Sequence, residues 1–305
     1  MSYMRPLLPF LCGWILILSS STFSVIGLVN GLLQLLLFAF VVCLPIWRTG
    51  RMNYVDIGWP WGLVCIGLVT LFLGEGYSWR VWAIGALYIL MGLRMGIGAI
   101  QFWLKGYIQK ELPRYRYQRI RWERKGKTNI QAAMQIDALV QGLANVSYLA
   151  LPAFIIASNP NPNISVFEVV GLLLWVASFI LESIADKQKL GFLRRMKTEK
   201  LQNKVCEIGL WKYTRHPNYF AEWTIWNSLI IISIPSWLAL RSSESLIIWV
   251  LLGFALLFVS LMMYNTLVYL TGAIPSEYYS LQKRPNYKSY TKRVNMFFPG
   301  FRNRK

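Results

Sequence analysis

The chain is poor in the side chains that bind metal ions. It has 305 residues but only one histidine, His216, and four cysteines. The cysteines show no paired spacing, and most of them fall in predicted membrane spans; they are Cys12, Cys43, Cys65 and Cys206. Zinc and haem sites are built chiefly from histidine and cysteine ligands. We therefore expect no metal site.

Two nucleotide-binding signatures are also missing. The sequence contains neither a Gly-x-Gly-x-x-Gly element nor a P-loop. No internal repeat is evident, which argues against a transporter built from inverted repeats. Any nucleotide that this chain binds must therefore be held by a membrane fold rather than by a Rossmann domain.

Hydrophobic residues, by contrast, are abundant. They make up 55% of the chain against 15% charged residues, and the mean hydropathy is +0.41. Apolar runs of roughly 20 residues, the length that crosses a bilayer, recur along the sequence. The pattern predicts an all-α integral membrane protein, a bundle of seven to eight transmembrane helices with basic cytoplasmic loops. The candidate spans are 7–27, 29–47, 57–74, 81–104, 132–157, 165–186, 220–240 and 245–274.

The first two candidate spans are joined by a short turn near Asn30-Gly31. One span plus a re-entrant piece is the alternative, and it gives seven crossings instead of eight. We expect no cleavable signal peptide, because only Arg5 precedes the first apolar run and no persuasive Ala-x-Ala site follows it. The whole chain, 1–305, is therefore expected to form a single polytopic domain.

The positive charges are distributed unevenly. The net charge of +19 comes from 32 Lys and Arg against 13 Asp and Glu. In a soluble protein this excess would point to nucleic acid, but here 29 of the 32 basic residues fall on one side of the eight-span arrangement. Only Arg80 and Arg241 fall in loops on the other side, and Arg94 lies within a span. The positive-inside rule then places both termini and the basic loops in the cytoplasm, in contact with lipid headgroups and with no nucleic acid partner.

Several ionisable groups lie in or beside the predicted spans, all toward the cytoplasmic ends. Charge within hydrocarbon costs several kcal/mol, so such groups usually serve a function. Individually they fit helix caps or side chains that reach for the interface, but their common depth favours one polar cavity. They are Asp56, Arg94, Asp137, Glu182, Asp186 and Glu222.

The most informative segment is 209–223, where polar residues run directly into an apolar span. Asn218 and Glu222 are four residues apart and share one helix face, as do Glu182 and Asp186 one span earlier. Two such faces could bind the ribose and amide groups of a nucleotide. Phosphates could be held by nearby cations, namely Lys212, Arg194, Arg195 and Arg215.

Polar and aromatic residues also crowd the start of the third span. Asp56 lies among Tyr54, Trp59 and Trp61. An interfacial aromatic belt would explain this composition equally well. The functional interpretation is a carboxyl that keeps its proton in a low dielectric and donates a hydrogen bond to a substrate carbonyl.

These residues resemble the steroid 5α-reductase family, and its bacterial branch in particular. The resemblance is carried by Arg215-His-Pro-Asn-Tyr-Phe-Ala-Glu222 preceded by Glu182-Ser-Ile-Ala-Asp186. Further matches run from about 51 to 299 and comprise Asn53-Tyr-Val-Asp56-Ile-Gly-Trp59, Gly92-Leu-Arg94, Glu111-Leu-Pro-Arg114-Tyr115, Gln141-Gly142, Tyr287-Lys-Ser-Tyr290 and Phe298-Pro299. The resemblance implies a reductase-like core over 51–305, with 1–50 as accessory N-terminal spans.

The resemblance also implies NADPH as cofactor and Asp56 as the residue near the substrate carbonyl. Where the family has a span-four tyrosine this chain has Met91, so a polarising phenol would come from Tyr54 or Tyr88. Another departure is Ala221 in place of the family's glycine. The candidate cofactor-binding residues are Arg94, Arg114, Tyr115, Glu182, Asp186, Arg194, Arg215, His216, Asn218, Tyr219, Glu222 and Tyr290.

The expectation is thus an NADPH-dependent membrane reductase in steroid or lipid metabolism. It would reduce a conjugated enone, such as a 3-oxo-4-ene steroid, in a lipophilic small-molecule substrate that enters from the bilayer. One alternative is an S-adenosylmethionine-dependent membrane methyltransferase of the isoprenylcysteine type, since such enzymes carry a similar Arg-His-Pro element. Another is a lipid-binding membrane protein without catalysis. The sequence does not indicate an oligomeric state.

Overall fold

Most of the described part of the chain is helical. The computed structural model describes residues 3–301, and within that range the backbone pairs as a strand at one isolated bridge only, between Thr214 and Asn295. Seven helices among these residues are long and apolar enough to cross a membrane, which makes this a multi-pass membrane protein. These are α2 (Ser24–Thr49), α3 (Met52–Leu73), α4 (Ser78–Leu104), α6 (Ile130–Ala157), α7 (Val166–Thr198), α8 (Pro217–Ser242) and α9 (Leu246–Lys283).

Shorter helices lie between and beside these spans, and three of them are used below. The first, α1, is apolar and covers Arg5–Leu18. The second, α5 (Pro113–Arg124), is rich in arginine and precedes α6. The third, α10 (Tyr287–Arg293), follows α9 and lies near the end of the chain. The predicted fold class is therefore confirmed.

The predicted boundary between the first two spans is wrong. The chain leaves α1 at Leu18 and enters α2 at Ser24, whereas Asn30 and Gly31 lie inside α2. Position 31 suits glycine because the indole of Trp14 packs directly over it, and a Cβ at this position would lie 2.5 Å from the ring. The break falls instead at Ser19–Thr22, whose hydroxyls hydrogen-bond carbonyls and the Glu244 carboxylate.

The chain divides into two compact units. Unit 1 comprises the residues up to Val169 together with Ile230–Val259, and unit 2 comprises Val170–Leu229 together with the residues from Ser260 onward. Residues 3–50, expected to be accessory to a core that begins at 51, thus pack within the same unit as the helices that follow them.

In unit 1, α3 and α4 approach each other closely along a row of glycines. A Cβ on Gly67 would lie 2.6 Å from the carbonyl oxygen of Gly85, and one on Gly92 would lie 2.6 Å from that of Pro60. Membrane helices gain van der Waals contact when small residues let backbones meet in this way. Close contact fixes the start of α3, which carries Asp56.

The N-terminal helix traverses unit 1. At one end, the hydroxyl of Tyr3 accepts a hydrogen bond from the backbone N–H of Asn129 (3.2 Å). At the other, the hydroxyls of Ser20 and Thr22 donate to Glu244 (2.6 and 2.8 Å). Burial raises the pKa of Glu244, but these bonds and two backbone N–H groups lower it more, so that its pKa lies below the usual value.

Unit 2 is closed by the C-terminal segment. The backbone N–H of Arg215 donates to the carbonyl of Asn295 (2.9 Å), and Gly300 donates to the carbonyl of Tyr213 (3.0 Å). The hydroxyl of Thr214 reaches the carbonyls of Met296 and Phe297. Residues 295–300 are thereby held along the residues that lead into α8.

Candidate functional site

Two sequence elements meet at the start of α3. The amide nitrogen of Asn53 donates to the carbonyls of Ile108 and Lys110 (both 2.9 Å), and its oxygen accepts from the N–H of Leu112 (3.0 Å). In return, Glu111 accepts from the N–H of Met52 (3.1 Å). These bonds fix the segment that leads into α5 and thus position the first residues of that helix.

The first turn of α5 brings Arg114 and Tyr115 to Asp56. Arg114 forms an ion pair with the carboxylate, and the Tyr115 hydroxyl donates to it. Asp56 thus accepts a hydrogen bond from Tyr115 and pairs with Arg114, whereas the sequence analysis expected it to donate a hydrogen bond to a substrate carbonyl. The structure also places Arg114 and Tyr115, expected as cofactor contacts, with the candidate catalytic residue.

The proton in this cluster is held by Tyr115. Its side chain is buried, at 4% exposure. The pKa of Tyr115 lies well above the usual value because of burial first and the negative charge of Asp56 second, and Asp137 raises it further. Arg114 lowers the pKa of this hydroxyl, but by less. Tyr115 is therefore a protonated hydrogen-bond donor at neutral pH.

The second group of candidates lies in unit 2, on α7 and α8. Pro217 begins α8, where its missing N–H costs nothing. Asn218 follows, and its amide nitrogen donates to the Asp186 carboxylate (3.2 Å). The amide oxygen of Asn218 is buried and has no hydrogen-bond partner among residues 3–301. Glu182, one turn before Asp186, is buried at 4% exposure.

Glu222 completes this polar face. It lies one turn after Asn218 on α8 and is half-buried. The two helix faces with four-residue spacings meet in the contact between Asp186 and Asn218. The arrangement offers carboxylates and an amide oxygen, all of which accept hydrogen bonds from hydroxyl or amide groups.

Arg215 and His216 do not belong to that face. The guanidinium of Arg215 binds both oxygens of Glu277 (2.7 and 3.0 Å) and the carbonyls of Thr291 and Val294 (3.1 and 2.5 Å). His216 Nε2 lies 2.9 Å from the same carboxylate. Arg215 and His216, expected as cofactor contacts, thus anchor the start of α8 to α9, and Arg215 also binds the segment 291–294.

His216 is neutral in this environment. Burial lowers its pKa below the usual value, and the contact with Glu277 opposes this shift without overcoming it. The imidazole ring stacks on Tyr219 at 5.3 Å between ring centres. Tyr219, a candidate cofactor contact, is thus packed against the anchor.

Other candidates have evident structural roles. The hydroxyl of Tyr88 donates to the carbonyl of Leu149 (2.6 Å), in the turn that interrupts α6, and the side chain is fully buried. The hydroxyl of Tyr290 donates to the carbonyl of Trp211 (2.6 Å). Both bonds satisfy carbonyls outside regular helix, which membrane proteins must do internally.

Three candidates remain. Tyr54 packs, partly buried, against an apolar cluster that includes Phe38 and Val42. Arg94 is half-buried in α4. Arg194 is exposed near the end of α7, which continues to Thr198 as a basic extension. Of these, Arg194 has the exposure expected of a phosphate contact.

Nothing in the sequence pointed directly to Glu277. It is 61 residues from His216 and gave no motif. One signal was available: Glu277 is the only acid after Glu244 in the sequence, and it follows a long apolar run. A buried arginine and histidine near a helix start require such a partner.

Comparison with known proteins gives a family but no activity. A family model described as "Protein of unknown function (DUF1295)" matches residues 39–294. A protein of Schizosaccharomyces pombe named "Uncharacterized protein C594.04c" is 25% identical over 288 residues, which cover 87% of this chain and 78% of that protein. No solved structure matches. Because the family model spans most of the sequence, from within α2 to the end of α10, the chain belongs to the DUF1295 family.

Proposed function

We propose that this protein is an NADPH-dependent membrane reductase of a conjugated enone in a lipophilic substrate, such as a 3-oxo-4-ene steroid. The observation that carries the proposal is the buried amide oxygen of Asn218, which has no partner among the described residues and lies beside Asp186. An unpaired buried acceptor costs about 1–3 kcal/mol. A ligand that donates a hydrogen bond there would remove this cost.

The residues of unit 2 fit such a cofactor. Asn218, Asp186 and Glu222 would accept from its amide and hydroxyl groups, and Glu182 lies one turn further along α7. The basic extension of α7, which includes Arg194, would hold the phosphates. Arg215 is excluded from that role by Glu277. When bound, NADPH would supply the hydride.

Unit 1 offers a hydrogen-bond donor for a substrate carbonyl. The Tyr115 hydroxyl has a single proton, which it donates to Asp56 in this structure. With a substrate bound, the hydroxyl would turn from Asp56 and donate to the substrate carbonyl, while Arg114 would remain paired with Asp56. A donor placed where negative charge develops stabilises the enolate that forms on reduction.

We also propose that the basic segments face the cytoplasm. The segment 105–129, the segment 199–216 and the chain after Lys283 carry most of the Lys and Arg outside the long helices. Tyr3 lies at the Asn129 end of unit 1, so the N-terminus would share this side.

The cofactor test is thermal unfolding of the detergent-solubilised protein. A ligand that binds only the native state raises its stability, so NADPH should raise the melting temperature and S-adenosylmethionine should not. A shift with S-adenosylmethionine alone would favour the methyltransferase alternative. A shift with neither would favour a lipid-binding protein without this cofactor.

The binding face is tested by substitution. Asn218→Ala and Glu222→Ala should each weaken NADPH binding by about 1–3 kcal/mol. Asn227→Ala is the matched control on α8, because its amide is already satisfied by the Trp223 carbonyl and the Ser260 hydroxyl. Equal NADPH affinity in all three variants would remove Asn218 and Glu222 from the site.

The acid is tested by turnover of an enone steroid. Tyr115→Phe and Asp56→Asn should reduce turnover by roughly 10²–10³-fold, the usual effect of losing an oriented donor, and leave NADPH affinity nearly unchanged. Tyr88→Phe is the control, because it removes only the hydroxyl that donates to the Leu149 carbonyl, and it should keep turnover. Full turnover in Tyr115→Phe would assign the acid elsewhere.

A further inference from the structure

Aromatic rings pack together in unit 2, where α8 begins and the apolar part of α9 ends. Phe298 packs edge-on against Phe220 and Trp223, with ring centres 6.1 and 5.7 Å apart. It also lies nearly parallel to the ring of Tyr264, at 6.2 Å. Phe297 is buried and contacts the same three rings. The segment that contains both phenylalanines is therefore held against the membrane helices by its side chains as well as by its backbone.

The outer surface of this ring packing is apolar and exposed. Phe298 is 50% exposed, Tyr213 is 49% exposed and Phe301 is 94% exposed. Tyr213 lies close to Phe301 in the fold, because its carbonyl accepts a hydrogen bond from the N–H of Gly300 (3.0 Å). We refer to these three aromatic side chains as the aromatic patch. Large apolar side chains that are exposed together mark a contact with a membrane or with another protein.

The aromatic patch lies at the level where two spans enter the bilayer. Trp223 belongs to the second turn of α8, which begins at Pro217, and Tyr264 lies at the end of the apolar run Leu246–Asn265 of α9. Leu261, about one turn before Tyr264, is exposed, as expected of a lipid-facing residue in a span. Aromatic side chains at this depth are typical of membrane–water interfaces.

The chain around the patch carries positive charge without acidic residues. Residues 278–305 contain eight Lys and Arg and no Asp or Glu. Three of the eight come directly after Phe301, as Arg302, Arg304 and Lys305. Basic residues beside exposed aromatic side chains favour a membrane surface with anionic headgroups, because the charges and the rings can then bind at the same interface.

A second copy of the chain is a poorer partner for the aromatic patch. Two copies would bring the same uncompensated cations together, and like charges that face each other across an interface oppose association. The bilayer that surrounds the two spans, by contrast, is already beside the patch. Its anionic headgroups would balance the positive charge.

We propose that the aromatic patch and the basic residues after it form an anchor for anionic phospholipid, with Phe298 and Phe301 inserted at the membrane interface. The cations contact the headgroups, and the rings contact the upper part of the acyl chains. Because residues 295–300 hold the residues that lead into α8, lipid at this anchor also steadies the start of that helix. The anchor does not rest on the proposed function, since it needs neither a cofactor nor a substrate.

The depth of Phe301 is measured by fluorine NMR of the full chain in lipid nanodiscs. A trifluoromethyl-phenylalanine is incorporated at position 301, and its signal is broadened from the lipid side by nitroxide-labelled lipid and from the water side by a gadolinium chelate. Reference labels replace Phe254, exposed in the middle of α9, and Asn286, exposed at the start of α10.

In nanodiscs that contain phosphatidylglycerol, the label at 301 should be broadened like the lipid reference at Phe254. Broadening like that of Asn286 would place Phe301 in water and overturn the anchor. A label at 301 that is shielded from both reagents would mean that another protein or a second copy covers the patch, and this result would also overturn the lipid assignment.

A triple variant tests the charges, namely Arg302→Gln with Arg304→Gln and Lys305→Gln. Each basic residue near an anionic surface favours the bound form roughly fivefold. The triple variant should therefore weaken the insertion of Phe301 by about 10²-fold in phosphatidylglycerol and hardly change it in phosphatidylcholine alone. Equal insertion of the parent and the triple variant in both lipids would overturn the role of the anionic headgroups.

Trypsin cleavage after Arg302 gives a second measurement without a label. Cleavage there should be slower in nanodiscs with phosphatidylglycerol than in phosphatidylcholine alone, because the inserted segment is less accessible to the protease. Phe301→Ser should lose this protection and Phe301→Trp should keep it, and neither change should affect folding, since Phe301 is exposed. Cleavage after Lys200, exposed beyond α7, is the control and should be the same in both variants. Loss of protection in Phe301→Trp as well would overturn the role of the ring.

Discussion

The carboxylate of Glu277 is the most consequential single contact in unit 2. It receives two bonds from Arg215 and one from His216, and the paired side chains of Arg215 and Glu277 are 7% and 8% exposed. In Glu277→Gln the size is nearly unchanged, but the arginine charge stays buried without its counter-charge. Breaking such a pair costs about 3–5 kcal/mol.

The expected change in melting temperature follows from this cost. For chains above 200 residues, 1 kcal/mol corresponds to about 2 °C. We therefore expect Glu277→Gln to melt roughly 6–10 °C lower in a fluorescence-detected thermal melt. The control is Glu207→Gln, because Glu207 pairs with Arg293 at 25% and 34% exposure. Solvent-exposed pairs contribute about 0–1 kcal/mol, so the control should shift by less than about 2 °C.

A rescue variant separates lost charge balance from lost packing. Replacing both partners by apolar side chains, as in Arg215→Met with Glu277→Met, removes the buried charge together with its counter-charge. The double variant should melt higher than Glu277→Met alone. Equal shifts in Glu277→Gln and Glu207→Gln, or a double variant that is no better than the single one, would refute the anchor role of Glu277.

Three further predictions concern other parts of the chain. Burial lowers the pKa of His216 in the native protein. As the pH falls below about 6.5, the unfolded chain therefore takes up a proton before the native protein does, and stability should fall. Thermal melts between about pH 5.5 and 8 should show this dependence on pH, and His216→Gln should flatten it. Asn53→Ala should release the segment 105–112 and speed its cleavage by trypsin, measured against the parent. Gly62→Ala should lower the melting temperature, because its methyl group would overlap the side-chain amides of Gln34 and Asn145. Gly98→Ala should not lower it, because no atom lies within 4 Å of the added methyl group.

Hydropathy predicted the helices well because their length is set by the bilayer. The predicted span 220–240 corresponds to Pro217–Ser242, and the predicted span 165–186 corresponds to α7, which continues to Thr198. Hydropathy did not locate the break between α1 and α2. Serine and threonine at 19–22 end the helix through hydroxyl contacts with Glu244, and this acid is more than 200 residues away in the sequence.

Partners of charged residues were the main thing that sequence could not supply. Arg80, expected in a loop, is buried in the first turn of α4, where it binds Glu168 (2.6 Å). The pairing of Tyr115 with Asp56 joins residues 59 apart. Local periodicity states which face of a helix a residue occupies, but not which distant group meets it. The contacts of Asp56 with Arg114 and Tyr115 were missed for this reason.

The Arg-His-Pro-Asn element therefore consists of two parts with different roles. Arg215 and His216 bind Glu277 and fix the start of α8. This structural role would be the same whichever cofactor the protein binds. Pro217 begins the helix, and Asn218 follows with a buried amide oxygen that has no hydrogen-bond partner among residues 3–301. The shared Arg-His-Pro portion thus cannot distinguish a reductase from a methyltransferase. The distinction between a reductase and a methyltransferase rests on Asn218 and Asp186, because hydrogen-bond acceptors at this position suit a cofactor rich in amide and hydroxyl donors. The measurement that decides between the two functions is the affinity of Asn218→Ala for NADPH.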